Sequence, residues 1–169
     1  NNGSQPQFSP NALGFEGGDF FRSDFGGDTD ENALIKNDTV IIDPLLEDLP
    51  VQSSQAQIAA GDVADGTYYY ADRRGNIRTV SNVSTLSSTV APSTALLFNV
   101  GGDTLGDLVV RGEDLIISIG STLQLWDLSA TNPTGPVASL DYGTVNFSSE
   151  PNSGRFAGLA FAGNQLYGF

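Results

Sequence analysis

Gly112-Glu-Asp-Leu-Ile-Ile-Ser118 is a polar turn that runs straight into a short apolar strand, and the chain carries the same arrangement twice more. Asp65-Gly-Thr-Tyr-Tyr-Tyr-Ala71 precedes it by 47 residues, and Ala162-Gly-Asn-Gln-Leu-Tyr-Gly168 follows it by 50. A small apolar strand comes before each copy: Ile58 to Val63, Leu108 to Val110, and Leu159 to Phe161. After the first two copies comes a tight turn and a third strand, Ile77 to Val80 and Leu123 to Leu128. A fourth follows in each, Leu96 to Val100 and Val137 to Leu140. Asp72-Arg-Arg-Gly75 and Gly120-Ser121 are short enough for hairpin turns, with Gly supplying the positive φ. No stretch from residue 58 onward has helical periodicity, so the chain reads as all-β, with repeated antiparallel four-stranded units.

Four strands in every 40 to 50 residues or so is the spacing of β-propeller blades. The second unit resembles a WD40-type blade. Leu115-Ile-Ile-Ser-Ile-Gly-Ser-Thr-Leu-Gln-Leu-Trp-Asp-Leu128 is similar to that family's two inner strands and ends on its Trp-Asp dipeptide, Trp126-Asp127. The family's Gly-His element is absent, since the chain has no His, and the first unit lacks Trp-Asp. The resemblance implies a partial β-propeller. A β-sandwich with strands at short regular spacing is the alternative. The closing Tyr167-Gly-Phe169 also resembles the last strand of an outer-membrane barrel, but the regular alternation of such barrels is missing. Two units and half of a third do not close a ring of roughly four to eight blades. The expectation is a set of units incomplete at the C-terminal side, completed by more of the same protein or by partner chains.

Two segments follow: residues 1–57, an extended Gly/Asp/Phe-rich N-terminal arm and linker, and residues 58–169, the repeated units. Gly14, Gly17, Gly18, Gly26 and Gly27 interrupt regular structure in the arm, and its apolar residues are mainly isolated Phe. Only Thr39-Val-Ile-Ile-Asp43 reads as a strand there. Phe15, Phe20, Phe21 and Phe25 are expected to dock singly into pockets outside residues 1–32, which would make the arm an attachment device.

Composition excludes much. The chain has 169 residues, 39% of them hydrophobic, so it can bury a core. Twenty acidic residues against 7 basic ones give a net charge of −13. That field repels phosphate backbones and anionic bilayers, so no nucleic acid is expected as a partner. No apolar run approaches the roughly 20 residues of a spanning helix, so no membrane span is expected. Without Cys, Met or His there is no thiolate nucleophile, His general base or zinc site built on protein N or S ligands. The acidic, Lys-poor surface suits an extracellular or cell-surface setting.

Oxygen is the donor this chain offers a metal, which points to calcium as its cofactor. Asp28-Thr-Asp-Glu-Asn32 sets Asp28, Asp30 and Asn32 at alternate positions, like the first half of a calcium loop. Ala33 and Thr39 stand where such a loop wants Gly and a bidentate Glu. Arg73 and Arg74 are expected to meet a neighbouring Asp. Tyr68, Tyr69, Tyr70 and Trp126 have faces suited to sugars, although strand alternation sends at least one side of the tyrosine run into a core. The sequence predicts a non-catalytic structural or interaction module, its partner another protein or further copies of itself. The alternatives are a glycan-binding, lectin-like propeller and a fragment of a hydrolase working with paired carboxylates.

Overall fold

The computed structural model describes residues 11–23, 33–42, 58–86, 94–101, 105–142, 156 and 158–168. They form fourteen strands in four antiparallel sheets. Unit 1 is β1 (Asn11–Glu16), β2 (Asp19–Ser23), β3 (Leu34–Lys36) and β4 (Thr39–Ile42). Unit 2 is β5 (Ile58–Ala64), β6 (Thr67–Asp72), β7 (Asn76–Ser81) and β8 (Thr94–Asn99). Unit 3 is β9 (Leu105–Arg111), β10 (Asp114–Ile119), β11 (Thr122–Asp127) and β12 (Ala138–Asp141). Unit 4 is the hairpin of β13 (Leu159–Ala162) and β14 (Gln165–Gly168). Every sheet pairs its strands in chain order, a meander without Greek-key crossings. The one helical element among the described residues is a single 3-10 turn, Val83–Thr85.

The extended arm expected over residues 1–57 is corrected by unit 1. Residues 11–23 and 33–42 contribute a four-stranded sheet, and Thr39–Ile42 is its last strand rather than an isolated one. The glycines read as breakers are what allow it. Gly17 and Gly18, at φ of +62° and +92°, make the two-residue turn between β1 and β2, a geometry that side-chain-bearing residues resist. Gly14 lies against unit 2, where an added Cβ would come within 2.7 Å of the Val63 backbone nitrogen. Among the described residues the repeat therefore recurs four times, the last as a hairpin. Its first turn recurs at Gly17-Gly18, Asp65-Gly66, Gly112-Glu113 and Gly163-Asn164.

The units stack in series. The first strand of each sheet lies beside the first strand of the next, β1 by β5, β5 by β9 and β9 by β13. Two cores fill the gaps. Phe21, Leu34, Ile41 and Ile42 of unit 1 pack on Val63, Tyr68, Tyr70 and Val80 of unit 2. Ala71, Ile77 and Phe98 of unit 2 pack on Leu108, Val110, Leu115, Ile117 and Trp126 of unit 3. Strand alternation makes this possible, since each sheet shows one set of side chains to the unit behind and the other set to the unit ahead. Stacked rings mark both junctions. Tyr68 and Tyr70 lie 5.7 Å apart between centroids, and Phe98 and Trp126 lie 4.8 Å apart.

Candidate functional site

Three carboxylates on the innermost strands join the units. Glu16 of β1 accepts the Gly66 N–H at 2.8 Å. Asp62 of β5 accepts the Val110 N–H at 2.9 Å through Oδ2 and its neighbour Val63's N–H at 2.8 Å through Oδ1. Asp107 of β9 accepts the Leu159 N–H at 2.8 Å. Each reaches from one unit into the next. Burial pushes Asp62 above the ordinary carboxylate range, against the pull of its backbone hydrogen bonds. Burial also pushes Asp107 up to about 7, with backbone N–H groups of Leu159, Leu108 and Gly61 pulling down and the Asp62 charge adding to the rise.

A carboxyl titrating near neutrality is the usual mark of a general acid. In both residues the carboxylate oxygens are engaged by backbone, Asp62 through both of them and Asp107 through Oδ2. Sequence reading missed them: an Asp inside an apolar strand looks like a solvent-facing position, and no local signal gives its partner 48 or 52 residues away.

A cavity of about 190 Å³ lies elsewhere, beside unit 3. Ile116, Leu123, Leu125, Ala138 and Leu140 of unit 3 line it together with Leu166 of unit 4. Its wall is apolar and includes neither buried carboxylate. The hairpin registers explain why it exists. Leu140 pairs with Leu123 as Phe98 pairs with Ile77, so Leu140 is unit 3's counterpart of Phe98. Phe98 is 8% exposed under Trp126, whereas Leu140 is 61% exposed.

The other end of the series has an open face of the same type. Phe15 and Phe20 face each other across the first hairpin, as Val63 and Tyr68 do in unit 2 and Val110 and Leu115 do in unit 3. Val63 and Tyr68 are 7% and 0% exposed, but Phe15 and Phe20 are 60% and 52% exposed. The Phe15 and Phe20 rings touch each other, with centroids 5.2 Å apart, and Leu13 beside them is exposed too. The docking expected of these phenylalanines is therefore corrected. Phe21 alone of the three described is buried, by Leu34, Ile41, Ile42 and unit 2, as an ordinary core residue of its sheet. Phe25 lies outside the described residues.

The remaining sequence candidates divide as follows. Asp28, Asp30 and Asn32 lie outside the described residues. Asp19, just upstream, pairs with Lys36 at 2.8 Å and accepts from Asn37 at 2.6 Å, and both hold its carboxyl below the usual range. The Arg74 N–H donates to buried Asp72, which also accepts from the N–H and the side-chain Nδ2 of Asn76. Tyr68, Tyr70 and Trp126 are buried between units. They offer no open face to a sugar ring, and Tyr69 is half-buried. Among the described residues no helix is long and apolar enough to cross a membrane.

No family model matches the chain, and no curated protein matches it. Solved structures do. The computationally designed Ika8 protein is similar over 94% of this chain and 42% of its own, with a TM-score of 0.53 and 11% identity. The computationally designed Ika4 protein is similar over 98% of this chain and 87% of its own, at 0.54 and 12%. Glutaminyl cyclase of Myxococcus xanthus is similar over 96% of this chain and 61% of its own, at 0.57 and 17%. The chain thus spans about two fifths of the length of the first and about three fifths of the last. At these identities the likeness concerns the fold alone: an all-β, propeller-like series of repeated four-stranded antiparallel sheets.

Proposed function

We propose that the chain is a non-catalytic interaction module of a secreted or cell-surface assembly, and that it binds other protein through the two ends of its stacked sheets. The observation that carries this reading is the apolar exposure at Phe15, Phe20 and Leu140, at positions whose counterparts in other units are covered. Exposed apolar patches of this kind mark interaction sites in soluble proteins. The surface replaces the docking arm as the basis of the assembly reading. Trp126-Asp127, at the end of the third strand of unit 3, supports a WD40-like character for that unit. The alternating oxygens of Asp28, Asp30 and Asn32 support calcium as an accessory ion, which calorimetry with Ca²⁺ alone tests.

The competing readings draw less support. A lectin-like propeller needs open aromatic faces, and the sequence's best candidates are in the core. A carboxylate hydrolase needs a free acid in a cleft, while Asp62 and Asp107 bond strand amides. The likeness to glutaminyl cyclase, at 17% identity, carries no activity across.

Site-directed photocrosslinking tests the proposal. A photoreactive phenylalanine analogue at position 15 or 140 should give protein adducts, and one at exposed Ser129 should not. Equal labelling at all three positions would refute it. So would binding on a glycan array or turnover of glycoside substrates.

A further inference from the structure

We propose that the entry to unit 4 is a pH-operated latch on unit 3, closed while the Asp107 carboxyl carries its proton and released when it ionises. Three positions on unit 3 make the seat. A Cβ added at Gly106 would collide with the Phe156 carbonyl oxygen, so the bare glycine lets the incoming backbone lie against β9. Ser118 of β10, itself buried, accepts the Phe156 N–H at 3.2 Å. Asp107 accepts the Leu159 N–H at 2.8 Å, and Leu159 is buried there. The glycine seat and the serine carry no charge at any pH. Asp107 is the hold that can change state.

The groups around Asp107 set the direction of the switch. From β5 it faces Asp62, a like charge, and Glu16 of β1 bears on Asp62 in turn. From β6 it faces Tyr68, which burial holds neutral, with Tyr70, Asp107 and Asp62 adding to that effect. β10 presents Ser118, with the Tyr142 hydroxyl 3.1 Å from its Oγ, while Asp114 of β10 lies opposite Arg111 at the far end of the strand. β13, Leu-Ala-Phe-Ala, brings no titratable group. Arg111 of β9 is engaged elsewhere, with the Gly163 carbonyl at 3.0 Å and the Asn164 side chain at 2.8 Å. An ionised Asp107 thus gains no counter-charge from these elements, and burial, the largest influence on it, holds the carboxyl up at about 7. As pH rises through that value, an uncompensated charge forms at the junction. Unit 4 is the side that yields, because the core between units 2 and 3 is filled, with Phe98 stacked on Trp126. Moving unit 4 away lets water reach the carboxylate. It also draws Leu166 off Leu123, Leu125 and Leu140, the residues with which it lines the cavity.

Hydrogen exchange of the folded chain at intervals from pH 5 to pH 8 is the test, expressed as protection so that the intrinsic pH dependence of exchange is divided out. With the released carboxyl titrating at its ordinary 3.8, protection of the Phe156 and Leu159 amides should fall by about a hundredfold across the range, while the amides of β6 and β7 keep theirs. Binding of an apolar fluorescent dye should rise over the same interval as the leucines are uncovered. Asp107→Asn keeps an acceptor and has no charge to gain, so its protection and its dye binding should stay level. Ser118→Ala weakens the seat without touching the titrating group, so protection at Phe156 should be lower at every pH with the same slope. Level protection in the wild type, an equal fall in Asp107→Asn, a slope lost in Ser118→Ala, or a fall shared by all units would overturn the latch. The latch does not rest on the interaction-module reading. Absence of crosslinking from positions 15 and 140 would remove that reading alone, and level exchange would remove the latch alone.

Discussion

Replacing Asp107 by Asn should flatten the dependence of stability on pH. Burial raises the Asp107 carboxyl from its ordinary 3.8 to about 7 in the folded chain. Between those values the folded state holds a proton that the unfolded state has released. Stability therefore falls as pH rises through this window, and the loss is complete above about 7. At 1.36 kcal/mol for each pH unit, the rise corresponds to a ceiling of about 4 kcal/mol. Urea unfolding at intervals from pH 4 to pH 8 measures it. The wild type should lose stability steadily across the range, and Asp107→Asn should lose much less. Asp62 is raised as well, so the variant keeps a residual slope from Asp62. The background from the other acidic groups is common to both proteins, so the difference between the curves isolates Asp107. Parallel curves would refute the claim that this carboxyl is held against ionisation, and with it the reading of Asp107 as a buried link between units.

Three further outcomes follow from packing. Trp126→Ala should cost about 3–5 kcal/mol in a denaturant titration followed by circular dichroism, because it empties the space over Phe98 at the junction of units 2 and 3. An unchanged midpoint would contradict the packing. Gly14→Val should destabilise unit 1 against unit 2 by about 1–3 kcal/mol, because the Val63 backbone leaves no room. Hydrogen exchange should then rise first at the amides of β1 and β2. Asp72→Ala should cost about 1–3 kcal/mol by removing the buried acceptor of the Arg74 and Asn76 N–H groups, and a neutral result would show that the turn needs no such clamp.

The strand content from residue 58 onward was legible because its physical signals are local. Short apolar runs such as Leu115–Ile119 and Thr122–Asp127 are bounded by Gly and Asp turns, and they appear as β10 and β11. Unit 1 was not legible by the same signals. Its β1 has only Leu13 and Phe15 as large apolar residues, and its Gly17-Gly18 turn looks like disorder until the strands on either side pair. The spacing of 48 from Gly17 to Asp65 matches the 47 from Asp65 to Gly112 and could have exposed it. The open ends could not be found this way. Phe15 and Val63 look alike as apolar residues after a similar strand, and only the stacking order separates the covered one from the exposed one.

The buried carboxylates bear on that order. Apolar faces between β-sheets are permissive, since residues of similar size can slide or exchange partners. Glu16, Asp62 and Asp107 add a directional contact at each junction, from the innermost strand of one unit to an amide of the next. An ionised group buried at such a junction carries a desolvation cost, which is what raises the Asp62 and Asp107 carboxyls. What the contact contributes is position: a unit displaced along its neighbour would leave both an amide and a carboxyl without a partner.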